Sequence, residues 1–363
     1  MSKARGLADL GNVYDDGALS NRNLIINGAM QVAQRGTSFT GLTATQYCLD
    51  RMRFSVTNLG TWTVTQDSDA PEGFGSSMKV DCTTADASPA STDTLFLYHA
   101  LEGQNLQALA KGTADAKPVT LSFWVKSSKT GASQVNMRDT DNTRVIGSSY
   151  SISSANTWEY KTVTFSGDTT GSLDNDNAKS LQLEWWLDAG ATYTSGAIPT
   201  SWQAVSNGDL CVDNLSLGDS TSNTWQITGV QLEVGDGPAT PFEHRRYSDE
   251  LQSCMRYYQK SYDHDNYAGD ADFDGAISQR SISNTGSNIL SSALPTRMRA
   301  MPTVTLYGTT SATNTAGNIR GSGDVAISAV TGPSLSEARM DISFTSNQSN
   351  SYITAHYTAD AEL

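Results

Sequence analysis

Charged side chains are scarce in this chain, and no run of cations is present. Only 17% of the 363 residues are Asp, Glu, Lys or Arg, and the formal net charge is −14 at pH 7. Proteins that bind nucleic acid neutralise its phosphates with clustered Lys and Arg. The sequence therefore argues against nucleic acid as a partner. We also expect anionic membranes and acidic polysaccharides to be repelled on average.

Long apolar runs and paired cysteines are missing as well. No segment approaches the roughly 20 apolar residues of a membrane-spanning helix, so no membrane insertion is predicted. The first twenty residues contain two early cations but lack the apolar centre of a secretory signal. The four cysteines are scattered without a C-x-x-C pair, which argues against a zinc site and against a disulfide framework.

Ser, Thr, Asn and Gly are abundant, together with seven Trp and fourteen Tyr. Short runs of β-branched and aromatic residues alternate with polar turns, which is typical of antiparallel strands packed as two sheets. In residues 61–66, for example, Trp62 and Val64 share one face and threonines share the other. The pattern predicts a mainly β fold: an antiparallel jelly-roll sandwich, a short linking helix and a smaller C-terminal β domain.

The same pattern divides the chain into four segments. Residues 1–22 are polar and too short to form a core, so we interpret them as an arm that a partner orders. Residues 23–245 form the predicted jelly roll, 246–262 the amphipathic linking helix, and 263–363 the C-terminal β domain, which ends in a strand. The predicted jelly-roll strands lie at 51–56, 61–66, 77–82, 94–100, 119–128, 159–167, 181–190, 209–217 and 225–234, with a helix at 104–112.

A polar cluster, Glu243, His244, Arg245 and Arg246, stands at the junction before the linking helix. These groups could supply acid–base chemistry, but no nucleophile motif or Gly-rich phosphate loop accompanies them. Two carboxylates could also hydrolyse a glycan, yet nothing singles out one pair. We interpret the cluster as a junction held by ion pairs to the acidic start of the helix, and we predict that the protein is not an enzyme.

Oxygen-rich turns occur at residues 139–142, 174–177 and 263–274. Asp and Asn oxygens are ligands that Ca²⁺ accepts at flexible geometry. The same residues are common in turns for conformational reasons, and none of the three stretches has the EF-hand spacing. Both interpretations, a calcium site and an ordinary turn, stay open for each stretch.

The aromatic residues suggest carbohydrate binding. Exposed indole and phenol rings form flat platforms for the apolar faces of sugars, and nearby Asp, Asn and Gln side chains supply hydrogen bonds. Trp185 and Trp186 are adjacent on a predicted strand, so they point to opposite faces. A place in the sandwich core is the alternative for each Trp. The candidate glycan-binding residues are Trp158, Trp185, Trp186, Trp202, Asp139 and Asp141.

Two segments, NLIINGAMQ (23–31) and DLCVDNLSLGD (209–219), resemble the opening and closing strands of galactose-binding-like jelly rolls, the fold of many carbohydrate-binding modules. In that family a Glu of the opening strand and an Asp of the closing strand often hold a structural Ca²⁺. The resemblance places Asp213 at the Asp position and Gln31 at the Glu position. A neutral amide is a poorer calcium ligand than a carboxylate. The resemblance implies a structural Ca²⁺ at these residues and no required cofactor.

A second resemblance is to tail-fibre-like virion proteins of tailed bacteriophages. It is carried by NLIINGAMQVAQRGTSFTG, YCLDRM, ITGVQLEVGDGPATPFEHRRYSDELQSCMRYYQKSY, RMRAMPTVTLYG and YTADAEL. It implies a virion protein made in the host cytoplasm, which docks to other virion proteins through residues 1–22, forms a homotrimer and binds host-surface glycan. Two alternatives stay open: a capsid head-decoration (cement) protein without a receptor role, and a glycan depolymerase.

Overall fold

The computed structural model describes residues 21–280, 287–308, 315–318, 325–326, 335–345 and 352–363. The chain divides into two compact units, the first with residues up to Ala33 and Thr37–Arg246, the second with Gln34–Gly36 and Tyr247–Leu363. Most of the predicted N-terminal arm, residues 1–20, lies outside the described residues. In the part of the chain that is described, no helix is both long and apolar enough to cross a membrane.

The first unit is a sandwich of two antiparallel sheets. The six-stranded sheet has the order β1 (Ser38–Leu42), β4 (Thr61–Asp67), β5 (Ser77–Thr84), β13 (Thr224–Val234), β7 (Val119–Ser127), β10 (Glu159–Phe165). The seven-stranded sheet has the order β12 (Gln203–Ala204), β9 (Arg144–Ile152), β8 (Gly131–Asp139), β11 (Lys179–Ala189), β6 (Thr94–Glu102), β3 (Met52–Thr57), β2 (Gln46–Tyr47). The chain crosses repeatedly between the sheets, and the predicted antiparallel jelly roll is confirmed.

Alternating side chains of both sheets meet in one apolar core. In β11 the inward residues are Leu181, Leu183, Trp185 and Leu187, all buried. Burial of apolar surface contributes roughly 25 cal/mol per Å², so this interior is the main source of stability. All four cysteines are buried, and none of them forms a disulfide.

Two local predictions were wrong, and one hairpin of the structure has no counterpart among the predicted strands. The β8–β9 hairpin was not predicted, although Val135 and Met137 of β8 alternate with the polar residues Gln134, Asn136 and Arg138. Residues 209–217, predicted as a strand, are irregular between the end of the 3-10 helix Asn207–Asp209 and the start of the 3-10 helix Leu217–Asp219. Residues 104–112 form two 3-10 turns rather than a helix, and Ala110 ends the second in the left-handed region (φ 47°).

Residues 209–217 alternate in sequence without forming a strand, because their apolar side chains pack into two different apolar clusters. Leu215 and Leu217 enter the main core, whereas Leu210 and Cys211 pack on the outer face of the seven-stranded sheet. The short helix α1 (Ala191–Thr194) lies against the same outer face, where its Tyr193 packs against that outer cluster. We name α1 together with residues 209–217 the covering segment. The segment therefore covers one end of this face.

The second unit contains helix α2 (Tyr247–Met255) and a sheet around its last strand. β21 (Tyr352–Asp360) pairs with β14 (Tyr258–Lys260), β15 (Ile277–Arg280), β17 (Thr303–Tyr307) and β18 (Thr315–Asn318), and β18 pairs with β19 (Val325–Ala326). A two-stranded sheet joins β16 (Ser287–Ala293) and β20 (Arg339–Thr345). The predicted C-terminal strand is confirmed.

The linking helix is shorter than the predicted range of 246–262. It ends at Met255, and residues Tyr258–Lys260 pair with β21 as β14. Tyrosine favours a pleated, half-buried surface, and this pairing prevails over the helical spacing of Tyr258. Within the helix, Cys254 is buried, while Leu251 and Met255 are half-buried.

Candidate functional site

The adjacent tryptophans of β11 point to opposite faces, but neither reaches solvent. Trp185 has no exposed surface and belongs to the main core. Trp186 is only 2% exposed, and its ring stacks on Phe96 with centroids 4.6 Å apart and lies 5.4 Å from Tyr193. The structure therefore corrects the expectation that these two indoles offer a platform for sugars.

Asp139 is also buried, and it takes part in an ion-pair network. The ammonium of Lys111 contacts the Asp139 carboxylate and lies 3.0 Å from Asp168 Oδ2. Arg144 donates from Nε to Asp168 Oδ2 (2.7 Å). The Lys111 ammonium thus supplies the positive charge that a Ca²⁺ ion would bring to these carboxylates.

The network fixes the ionisation of Asp168. Burial would raise the pKa of this carboxyl, but hydrogen bonds from Arg144 and Lys111 outweigh the burial and lower the pKa. Trp202 lies over the same network, with its ring centroid 5.0 Å from Lys111 Nζ, and its indole N–H donates to the carbonyl of Ser166 (2.7 Å). Trp202 is half-buried and packs against the core.

Asp139 and Asp141 belong to the turn of the β8–β9 hairpin, where Asp139 pairs with Arg144. Asn142 donates its backbone N–H to Asp139 Oδ1 (2.9 Å), which is a common turn contact of Asp. Asp141 is exposed and accepts a hydrogen bond from the backbone N–H of Asp174 (3.0 Å). These contacts agree with the turn interpretation of residues 139–142.

Gln31 and Asp213 are both half-buried. Across the described ranges, no group of three or more His, Cys, Asp or Glu side chains is placed to hold a metal ion. A single carboxylate with a neutral amide falls well short of the six to eight oxygen ligands that Ca²⁺ takes. These two residues do not by themselves fit a calcium ion, and calcium binding there stays a prediction.

The polar cluster before α2 fastens the first described residues to the end of the sandwich. Glu243 accepts hydrogen bonds from the backbone N–H groups of Asn21 (2.6 Å) and Asn23 (2.9 Å). Arg245 donates to the carbonyls of Asn23 and Ile25 and lies 3.4 Å from Glu243. This supports the interpretation as a structural junction, with the opening segment, rather than the predicted start of the helix, as a partner.

Asn27 explains why an Asn-Gly pair stands in that opening segment. Asn27 adopts the left-handed region (φ 61°), and its side-chain amide donates to the carbonyls of Val32 and Asp50 (2.9 Å each). A Cβ atom on Gly28 would lie 2.1 Å from the carbonyl oxygen of Val230. The turn therefore needs a residue without a side chain next to β13.

The outer face of the six-stranded sheet carries a set of accessible aromatic rings. Trp124 of β7 lies directly opposite Tyr160 of β10, with ring centroids 5.2 Å apart and planes tilted by 50°. Tyr160 is 44% exposed, and Trp124 and Trp158 are half-buried. We name Trp124, Trp158 and Tyr160 the aromatic platform.

Polar groups fix the Trp158 ring of the aromatic platform. The Trp158 indole N–H donates to Asp69 Oδ1 (3.1 Å), and the Lys126 ammonium lies 5.9 Å from the Trp158 ring centroid. Lys126 also bonds the Asp69 carboxylate, and this contact lowers the pKa of Asp69. Lys126 is two residues from Trp124 on the same face of β7, so it links Trp158 to the other two rings.

A β-bulge at Gly229 makes room for the platform. The register of β13 against β7 shifts between Thr228 and Gln231, and Gly229 lies in the left-handed region (φ 62°). A Cβ atom there would lie 2.7 Å from Phe74 Cζ and 3.0 Å from Trp124 Cδ1. Phe74 packs edge-on against the ring of Phe242 at 5.0 Å, which extends the aromatic surface.

Trp158 is the only predicted site residue in the platform, and sequence reasoning missed Trp124 and Tyr160. One signal was available for Trp124, because it stands between the inward residues Phe123 and Val125 and therefore points outward. A single outward-facing indole does not mark a binding surface, whereas a contiguous aromatic patch does, and that patch depends on the pairing of β7 with β10.

No family model and no curated protein matches the chain. The solved structures similar to it include the enzymatically active domain of tailspike protein 4 from bacteriophage CBA120 (TM-score 0.31, 12% identity, 59% of this chain). That match spans 21% of the tailspike chain. They also include a family 11 carbohydrate-binding module of Clostridium thermocellum in complex with a mixed-linked tetrasaccharide (TM-score 0.29, 9% identity, 56% of this chain and 99% of that one). A third is a xylan-binding domain of Paenibacillus barcinonensis (TM-score 0.28, 12% identity, 50% of this chain and 91% of that one). Structural similarity at these TM-scores does not allow the function of those proteins to be assigned to this one.

Proposed function

We propose that this protein binds carbohydrate through the aromatic platform of Trp124, Trp158 and Tyr160. The observation that carries the proposal is the accessible Trp124–Tyr160 pair on the outer face of a sheet, with Trp158 held beside it by Asp69. Aromatic faces bind the apolar faces of sugar rings, and the exposed carboxylate of Asp69 offers an acceptor for sugar hydroxyls. This arrangement supports binding and provides no pair of carboxylates for hydrolysis.

We further propose that the protein is a structural component of a phage particle, a tail fibre or similar appendage, that binds glycan on the host surface. The tail-fibre-like segments of the sequence support this role. Residues 1–22 would dock to other virion proteins, and a homotrimer would present three platforms at once. Linked sites of this kind raise the overall affinity of weak individual contacts by orders of magnitude.

The test is binding of the purified protein to immobilised bacterial surface polysaccharides, compared with variants of the platform. We expect Tyr160→Ala and Trp124→Ala each to weaken binding about tenfold or more, since buried aromatic contacts at binding sites are worth over 1 kcal/mol. Phe273→Ala is the matched control, because Phe273 is 57% exposed but belongs to the second unit. Equal losses in all three variants, or none in the platform variants, would contradict the proposal.

Two further measurements separate the alternatives. A head-decoration protein would bind purified capsids and no surface polysaccharide, and a depolymerase would release reducing-end sugars from the bound polysaccharide. Binding repeated with a calcium chelator tests the predicted ion, because a loss on chelation would point to Asp213 and Gln31.

A further inference from the structure

A group of charged side chains lies on the outer face of the seven-stranded sheet, on the opposite side of the sandwich. These residues span more than a hundred positions in the sequence. Arg53 of β3, Tyr98 of β6 and Glu184 of β11 are direct neighbours in the strand pairing. Arg138 of β8 lies opposite Gln182, and Lys179 begins β11. We name Arg53, Arg138, Lys179 and Glu184, with the ring of Tyr98, the outer-face cluster.

The three cations of this cluster carry many more N–H donors than the surrounding protein groups can accept. A guanidinium has five N–H donors and an ammonium has three. Among the described residues, Lys179 Nζ donates only to Gln182 Oε1 (2.9 Å), and Arg138 has only an ion pair of 3.6 Å with Glu184. Arg53 Nη1 donates to the Tyr98 hydroxyl, while its Nε is buried without an acceptor. Apart from the buried Nε of Arg53, most of these donors are therefore available to a ligand or to water.

The carboxylates near the cluster are buried, whereas its cations reach solvent. Glu184 has no exposed surface, and its oxygens accept from Gln182 Nε2 (2.5 Å) and Trp186 Nε1 (2.9 Å). Glu102, opposite Lys179 in the pairing, is also fully buried and accepts from the side-chain amide of Gln104 (2.5 Å). The charged groups of the cluster that reach solvent are therefore cations, although the chain as a whole is negative.

The cations also lie unfavourably close to one another. Burial lowers the pKa of Lys179, the neighbouring guanidinium groups of Arg138 and Arg53 lower it further, and only Glu184 opposes them. Arg53 and Lys179 both approach the Tyr98 ring, with their charged atoms 5.3 and 5.6 Å from its centroid. An anion bound among these three groups would relieve their repulsion.

We propose that the outer-face cluster is a binding site for the carboxylate groups of an acidic oligosaccharide. Planar guanidinium groups bind carboxylates through two parallel hydrogen bonds, and two of the three cations here are arginines. Arg53 and Arg138 stand on strands three spacings apart, which is about 14 Å and suits a short oligosaccharide better than a single small ion. The half-buried rings of Tyr47 and Phe96 on the same face supply apolar contact for sugar rings.

This site does not depend on the proposed function, because it lies on the other sheet and uses none of the platform residues. The net charge of −14 argues for a short acidic glycan over a nucleic acid, whose dense phosphates would meet repulsion from the rest of the chain. The sequence-based expectation that acidic polysaccharides are repelled concerns the average surface, and our proposal makes this face an exception.

Isothermal titration calorimetry on the full chain tests the site with a set of uronate- and sialate-bearing oligosaccharides, their methyl esters, inorganic phosphate and single-stranded DNA. We expect the acidic oligosaccharides to bind and the neutral esters to bind at least tenfold more weakly. Arg138→Gln and Lys179→Gln should each weaken binding of the acid form about tenfold. Lys79→Gln makes the same charge change on the other sheet and should leave binding unchanged.

Several results would overturn the assignment. These are equal binding of acids and esters, binding of phosphate or DNA as tight as that of the oligosaccharides, an equal loss with Lys79→Gln, or no binding of any acidic oligosaccharide. Thermal melting of each variant shows that it is folded, and Arg138→Lys keeps the charge and should restore part of the affinity if charge, not structure, is responsible. Tyr160→Ala should not affect binding at the outer-face cluster. The proposal for this cluster and the proposal for the aromatic platform can therefore be contradicted independently.

Discussion

Lys111 is the residue whose loss we expect to destabilise the first unit most among its charged groups. Its ammonium is buried between Asp139 and Asp168 and also donates to the carbonyl of Gly171 (2.8 Å). Removing one partner of a buried ion pair leaves uncompensated charge and costs roughly 3–5 kcal/mol. Lys111→Met should therefore lower the free energy of unfolding by about that amount in urea denaturation.

Lys79→Met is the control for this substitution. Lys79 pairs with Asp81 at 3.0 Å, but both side chains are about a quarter exposed, and such pairs contribute about 0–1 kcal/mol. Similar losses in the two variants would show that the buried network is not special, and the calcium interpretation of Asp139 would need to be considered again.

Asp168 makes the stability of the first unit depend on pH in acid. Its pKa in the folded protein is below the ordinary value of 3.8, because the hydrogen bonds from Arg144 and Lys111 outweigh burial. A carboxyl with a lowered pKa stabilises the fold above its unfolded pKa, and this contribution is lost as the pH falls through the folded pKa. Asp168→Asn should therefore flatten the decrease of the urea midpoint below about pH 4. An unchanged pH profile would show that Asp168 is not responsible.

At the scale of single elements, the bulge in β13 couples backbone conformation to the aromatic platform. Gly229→Ala combines a left-handed backbone with a clash against Phe74 and Trp124, so we expect a loss of roughly 1–3 kcal/mol and weaker glycan binding. Gly41→Ala is the control, since Gly41 has φ 68° but no atom within 4 Å of its Cβ position. Thermal melting and polysaccharide binding measure the two effects. If both variants lose equally, strain alone explains the result and the clash with the platform does not.

Strands with one buried and one solvated face could be predicted from the alternation in their sequence. β4 is an example, because Trp62 and Val64 alternate with threonines. The alternation of β8 does not reveal that Gln134 and Asn136 on its outer face are fully buried beneath the covering segment, where they donate to the backbone carbonyls of Asp209 and Leu210. Polar residues that alternate with apolar ones are expected to face solvent, so the burial of both faces of β8 could not be predicted from the sequence.

At the scale of the whole molecule, both candidate sites depend on strand order, which short-range patterns do not determine. The aromatic platform needs Trp124 and Tyr160 side by side, and the outer-face cluster needs the strands of Arg53, Lys179 and Arg138 within four consecutive strands of one sheet. The sequence did indicate carbohydrate binding and Trp158 as a candidate. It could not indicate the cationic face, because no two of those three residues are close in the chain.

The net charge and the local charge of this protein have opposite signs, and salt should separate their effects. At about 10 mM salt the screening length is about 30 Å, so an acidic oligosaccharide experiences the repulsion of the whole chain of net charge −14. At about 0.1 M the length falls to about 10 Å, and the cations of the outer-face cluster dominate. Near 1 M it is about 3 Å, and these contacts are screened too.

We therefore expect affinity for the acidic oligosaccharide to be highest at intermediate salt and lower at both extremes, as measured by calorimetry at the three concentrations. Lys179→Gln should reduce the maximum, because it removes one of three local cations. Binding of a neutral glycan to the aromatic platform should change little over the same range, since ring contacts carry no net charge. A steady decrease from the lowest salt onward would show that the cluster outweighs the net charge at every distance, and that the acidic chain does not help to exclude longer polyanions.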